Sequence, residues 1–130
     1  MSKKILAVYP DEATLGILKS SLCELGGYEV ETEAEAQRAL EAIERTQPDL
    51  LLMEVAPLDL RVGREEFQVM TEIRKRHPTL TIVMLIDFVE TDLIEKAKQL
   101  KVEDYIVKFD IEETLRFLGE KLVTPWRKDG

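Results

Sequence analysis

The chain has 130 residues, with 18 Lys and Arg against 26 Asp and Glu, for a formal net charge of −8. That length suits one domain with a substantial core and excludes two, while 45% hydrophobic and 34% charged residues exclude the disordered and membrane classes. An acidic surface repels phosphate backbones and anionic bilayers, so neither nucleic acid nor membrane is an expected partner.

The N-terminal Met1-Ser2-Lys3-Lys4 leads into four apolar residues before Tyr9-Pro10. That run is too short for a signal-peptide core or a spanning helix, and a cytoplasmic location is expected. The same run, Ile5 to Val8, reads as a first strand. Leu15, Leu18, Leu22 and Leu25 follow with helical spacing until Gly26-Gly27 stops them. Cys23 lies within this pattern and has no second cysteine to pair with, so it is expected to be a partly buried small side chain without redox function.

Tyr28 to Thr32 reads as the second strand. Thr32 with Glu35 has capping-box spacing for a second helix carrying Ala36, Ala39, Leu40 and Ile43, and Pro48 follows it. Leu50 to Met53 is an unbroken apolar run, as suits a strand buried on both faces. A loop from Ala56 to Arg64 then precedes a third helix built on Phe67, Met70 and Ile73, with His77 as a surface residue at its end and Pro78 beyond. Ile82 to Ile86 gives the fourth strand, and Leu93, Ala97 and Leu100 the fourth helix. Tyr105 to Val107 gives the fifth strand. Asp110 with Glu113 could cap a fifth helix bearing Ile111, Leu115, Leu118 and Leu122.

Five alternating strand and helix units with right-handed crossovers predict an α/β, flavodoxin-like (βα)5 fold: a doubly wound parallel sheet of order 2-1-3-4-5. The domain is expected over residues 1–123, with 124–130 as a C-terminal tail. A single histidine, no Gly-rich phosphate loop and no nucleophile elbow leave zinc, nucleotide and hydrolase chemistry without their usual parts, and no enzymatic activity is expected.

Several strings in this order resemble the receiver domain of bacterial response regulators in two-component signalling. They are Lys4-Ile5-Leu6-Ala7-Val8, Gly27-Tyr28-Glu29-Val30, Ala39-Leu40, Pro48-Asp49-Leu50-Leu51-Leu52-Met53 and Asp104-Tyr105-Ile106-Val107-Lys108. The likeness runs from Lys3 to about Val123. It implies phosphoryl transfer to an aspartate at the end of the third strand, with an acidic pair holding Mg²⁺, a lysine on the fifth strand and a hydroxyl after the fourth.

Residue by residue, this chain departs from that pattern. The acidic pair falls on Tyr9 and Pro10; Asp11 would take its place only in a slipped register, and otherwise is an acidic helix start. The acceptor position is Glu54, whose extra methylene displaces the attacking oxygens. Glu54 either pairs with Lys108 as a permanent charge or is a solvated strand end. The switch hydroxyl falls on Ile86, with Asp87 beside it, while the aromatic Tyr105 and the lysine Lys108 are retained. Phe109 replaces the usual proline, so the Lys108-Phe109 bond is expected to be trans. Arg61 and Arg64 are expected as solvated loop charges.

The resemblance therefore implies an atypical receiver, a pseudo-receiver, that takes no cofactor, binds no Mg²⁺ and acts through a protein partner independently of phosphorylation. The family's contact face, made by the fourth helix, fifth strand and fifth helix, would include Glu95, Lys98, Lys101, Asp104 and Arg116, and it leaves a homodimer open. Two alternatives stand beside it. One is a working phosphoacceptor that uses Asp11 and Glu54 with Mg²⁺ and Lys108. The other is a small-molecule binder at the carboxyl edge, with Tyr9, Phe88 and Phe109 supplying aromatic surface.

Overall fold

The computed structural model describes residues 3–55, 61–86, 89–102 and 104–107. Five parallel strands make one sheet: β1 (Lys4–Val8), β2 (Glu29–Glu33), β3 (Leu50–Val55), β4 (Thr81–Ile86) and β5 (Asp104–Val107), in the order β2-β1-β3-β4-β5. Four α-helices connect them: α1 (Glu12–Gly26), α2 (Ala39–Thr46), α3 (Arg61–Arg76) and α4 (Thr91–Gln99). The expected doubly wound, flavodoxin-like sheet is what the chain forms. The fifth helix with its Asp110 cap, the Lys108-Phe109 bond and the tail at 124–130 lie outside the described residues.

Apolar runs without polar alternation can form these strands because both faces of the sheet are covered. Successive side chains still point to opposite faces. Leu51, Met53 and Val55 join Leu6, Val8, Ile82, Met84 and Ile86 on the face covered by α2, α3 and α4. Leu50 and Leu52 join Ile5, Val83 and Leu85 on the face covered by Leu22 of α1. Leu50 to Met53 are each fully buried, so β3 is the axis on which both cores are built.

The register of β1 on β3 is fixed at its N-terminal end. Lys4 N–H donates to Asp49 Oδ2 at 2.8 Å, Asp49 N–H returns to the Lys4 carbonyl at 2.8 Å, and Lys4 Nζ donates to the Thr46 carbonyl at 3.0 Å. A shift of one residue would turn every β1 side chain to the wrong face and break all three bonds.

Several local expectations need correction. Thr32 does not cap the second helix: it lies inside β2, paired with Ala7 of β1. The chain instead makes a 3₁₀ turn at Ala36–Arg38 and enters α2 only at Ala39, while Glu35 N–H is bound by Glu33 Oε2 at 3.0 Å. Arg61 and Arg64 are residues of α3 rather than of a loop, because only five residues, 56–60, separate the end of β3 at Val55 from the start of the helix at Arg61. Cys23 is exposed, one position past buried Leu22 and so about 100° around the helix from the apolar stripe. His77 does end α3, but it is half-buried, and its Nε2 is buried with no hydrogen-bond partner among the described residues.

At the C-terminus of α1, Gly27 takes φ 70° and ψ 19°, and the amides of Gly27 and Tyr28 both return to the Leu22 carbonyl. A Cβ placed there would meet nothing within 4 Å, so any cost of adding one is purely conformational. Gly27→Ala is expected to lower stability by about 1–2 kcal/mol, read as a lower urea midpoint at unchanged denaturant slope.

Candidate functional site at the carboxyl edge of the sheet

Strand order reverses between β1 and β3, which opens a crevice at their carboxyl ends, the usual ligand position in open α/β sheets. Tyr9 and Pro10 follow β1 directly. Tyr9 N–H donates to the Glu33 carbonyl at 3.1 Å, and the ring is half-buried against the α1-side core. Pro10 is exposed.

Asp11 is the N-cap of α1. Its Oδ1 accepts from Ala13 N–H at 3.1 Å and its Oδ2 accepts from Thr14 Oγ1 at 2.7 Å. The Thr14 hydroxyl and then the Ala13 amide hold its carboxyl below the ordinary value of 3.8. Both carboxylate oxygens are therefore engaged by the helix that Asp11 starts, in the arrangement that Ser, Thr, Asp and Asn adopt at N-caps.

Glu54 occupies the fifth of the six β3 positions, opposite Leu85 of β4, and is 9% exposed. A carboxylate that far out of water does not fit a solvated strand end. Ile86, at the end of β4, sits between Val55 and Val107 and is fully buried in the core beneath α2, α3 and α4. A branched hydrocarbon there offers no donor to an oxyanion. Tyr105 on β5 pairs with Met84 and is half-buried against the same core. Lys108, Asp87, Phe88 and Phe109 lie outside the described residues.

One functional candidate escaped the sequence reading. Glu66 on α3 is only 5% exposed and lines, with Glu54, Pro10, Gln37 and Val69, a cavity of about 320 Å³ beside the ends of β1 and β3. Its signal was available: residues 66, 70 and 73 share one face of a helix, so Glu66 rides on the stripe that buries Met70 and Ile73. On α4 and the turn after it, Glu95, Lys98 and Lys101 are exposed, as a contact face requires.

Among the described residues no group of three or more His, Cys, Asp or Glu side chains could hold a metal ion, and the carboxylates lining the cavity are those of Glu35, Glu54 and Glu66. Mg²⁺ is bound through one or two carboxylates with waters completing an octahedron. Tyr9 and Pro10 bring no carboxylate, and both oxygens of Asp11 are held by Ala13 and Thr14.

The sheet order and the crevice define a doubly wound α/β module. A family model for the response regulator receiver domain matches residues 5–117, and the chain belongs to that family, within two-component signalling. Among curated proteins it is similar to sporulation initiation phosphotransferase F of Bacillus subtilis, with 26% identity over 115 residues, spanning 87% of this chain and 88% of the relative. It is 30% identical over 108 residues to the alkaline phosphatase synthesis transcriptional regulatory protein PhoP of the same organism, spanning 83% of this chain and 43% of that one. Among solved structures, a response regulator receiver domain protein from Methanospirillum hungatei superimposes with a TM-score of 0.81 at 27% identity, covering 100% of both chains.

The Asp11 cap has a pH signature. A carboxyl whose folded pKa is depressed contributes stability that is complete above its unfolded value and is lost as pH falls through the folded one. The Asp11 carboxyl carbon is expected to titrate below 3.8 by NMR, with the first turn of α1 loosening over that range. Thr14→Ala should move the titration back up towards 3.8.

Proposed function

We propose that this receiver signals by phosphorylation-independent contact with a protein partner, its phosphoryl chemistry having been dismantled. The observation that carries the reading is the commitment of Asp11 to capping α1 while Tyr9 and Pro10 stand where a metal-holding acidic pair would be. Buried Ile86 supports it from the opposite side of the crevice, since the switch position there has no hydroxyl to offer.

In this reading Glu54 is a buried fixed charge and not an acceptor. A glutamate supplies negative charge but not the three oxygens of a phosphoryl group, and its added methylene misplaces the oxygens for in-line attack. The domain catalyses nothing and requires no cofactor. Its net charge of −8 directs it towards protein in the cytoplasm rather than nucleic acid or membrane. Among the described residues no helix is long and apolar enough to cross a bilayer. The exposed mixed charges of Glu95, Lys98 and Lys101 suit a polar, reversible contact, with a protein partner or a second copy, on the face that includes α4 and β5.

Titration of ¹⁵N-labelled protein with Mg²⁺ and beryllofluoride, which stands in for a phosphoryl group, tests this directly. The amides of Tyr9, Asp11, Glu54 and Ile86 are expected to show no saturable shift. Saturable shifts at those four positions would mean an assembled phosphoryl site and would sink the reading.

A further inference from the structure

Among the described residues β1 is the one strand that pairs with β2, so the other side of β2 is an edge of the sheet, the edge opposite β5. The ladder fixes which main-chain groups point outward there. Glu29 N–H donates to the Lys3 carbonyl at 2.9 Å, and the Glu33 carbonyl accepts from Tyr9 N–H at 3.1 Å, so both residues turn their main chain towards β1. Main-chain direction alternates along a strand. Glu31 therefore also faces β1, while Val30 and Thr32 turn their N–H and C=O away from the sheet. A row of outward N–H and C=O groups is a template for an added strand.

The side chains decide which strand can be added. Val30 is buried in the α1-side core, so Glu29, Glu31 and Glu33 share the opposite face of β2. Glu29 is exposed, and Glu31 and Glu33 are half-buried. Their Cα atoms follow one another at about 7 Å along the rim. A second copy of this chain, added antiparallel at the same edge, would bring its own three glutamates against these on the same face. Like charges directly opposite destabilise such a pair. The edge is closed to itself and to other acidic strands, and open to a strand of opposite charge.

We propose that β2 is a docking edge for an extended cationic segment of a protein partner, with Lys or Arg at alternate positions. Main-chain bonds to Val30 and Thr32 supply the pairing. Basic side chains on one face of the added strand meet Glu29, Glu31 and Glu33, and fix its register. The contact lies across the sheet from β5, so it does not compete with one on the face that includes α4 and β5.

Titration of ¹⁵N-labelled protein with a blocked peptide of alternating lysine and threonine tests the proposal. A peptide of the same composition with its lysines gathered at one end serves as the control. The alternating peptide is expected to give saturable shifts centred on β2 and to slow hydrogen exchange at the amides of Val30 and Thr32. The amides of Glu29, Glu31 and Glu33, already turned to β1, should exchange as before. The gathered peptide, and the alternating one with Glu31→Lys, should each bind about tenfold more weakly. Thr32→Pro removes an outward N–H and spares the β1 ladder, since proline is tolerated on the open side of an edge strand, and it should abolish the slowing at Val30. No saturable shift on β2, equal binding of the two peptides, or binding indifferent to Thr32→Pro would overturn the proposal. Should Thr32→Pro fail to fold, Glu31→Lys decides, and unchanged affinity there overturns it too.

Discussion

A strand buried on both faces has no freedom of register, and β3 imposes that constraint on the rest of this molecule. With Leu50 to Met53 fully out of water, its backbone must pair with β1 and β4 and its side chains must alternate between two cores. The Lys4, Asp49 and Thr46 bonds fix where β1 begins against it, so the ends of β1, β3 and β4 arrive together at one edge. The crevice is a consequence of this alignment. So is the burial of Glu54, which is carried out of water by the strand that holds it.

This chain keeps the scaffold of the receiver family and departs from its residue pattern at the crevice. The sheet order, the alternating cores and the helix stops are those of a receiver, and the family match spans residues 5–117. At the crevice the same backbone presents an aromatic, a proline, a glutamate and an isoleucine. None of these disturbs the fold: Tyr9 packs on the core, Ile86 packs better than a hydroxyl would, and Asp11 stabilises the start of α1. Departures that the fold accommodates in this way are compatible with a domain whose work is done by its surface.

The fold was legible because the signals behind it are local and period-based. Unbroken apolar runs marked β1, β3 and β4, and Gly26-Gly27, Pro48 and Pro78 marked the helix ends. The features that escaped depend on partners distant in sequence. The length of β2 follows from its pairing with β1, which drew Thr32 and Glu33 into the sheet and spoiled the apparent capping box. The start of α3 at Arg61 was hidden behind an unpromising Arg-Val-Gly-Arg opening. Arg74 is one charge among three consecutive basic residues in the sequence, and only the fold shows that it alone reaches Leu100 and Lys101, 26 and 27 residues away. Glu66 was legible in principle, as an acidic residue on the apolar period of its helix.

The central claim is that this receiver has kept its scaffold and lost its phosphoryl switch. Incubation with acetyl phosphate and Mg²⁺ followed by intact-protein mass spectrometry, beside an ordinary receiver as positive control, tests it most directly. The account predicts no phosphoryl adduct on this chain while the control labels. An Mg²⁺-dependent adduct that maps to Glu54 would contradict it and restore a working phosphorelay domain.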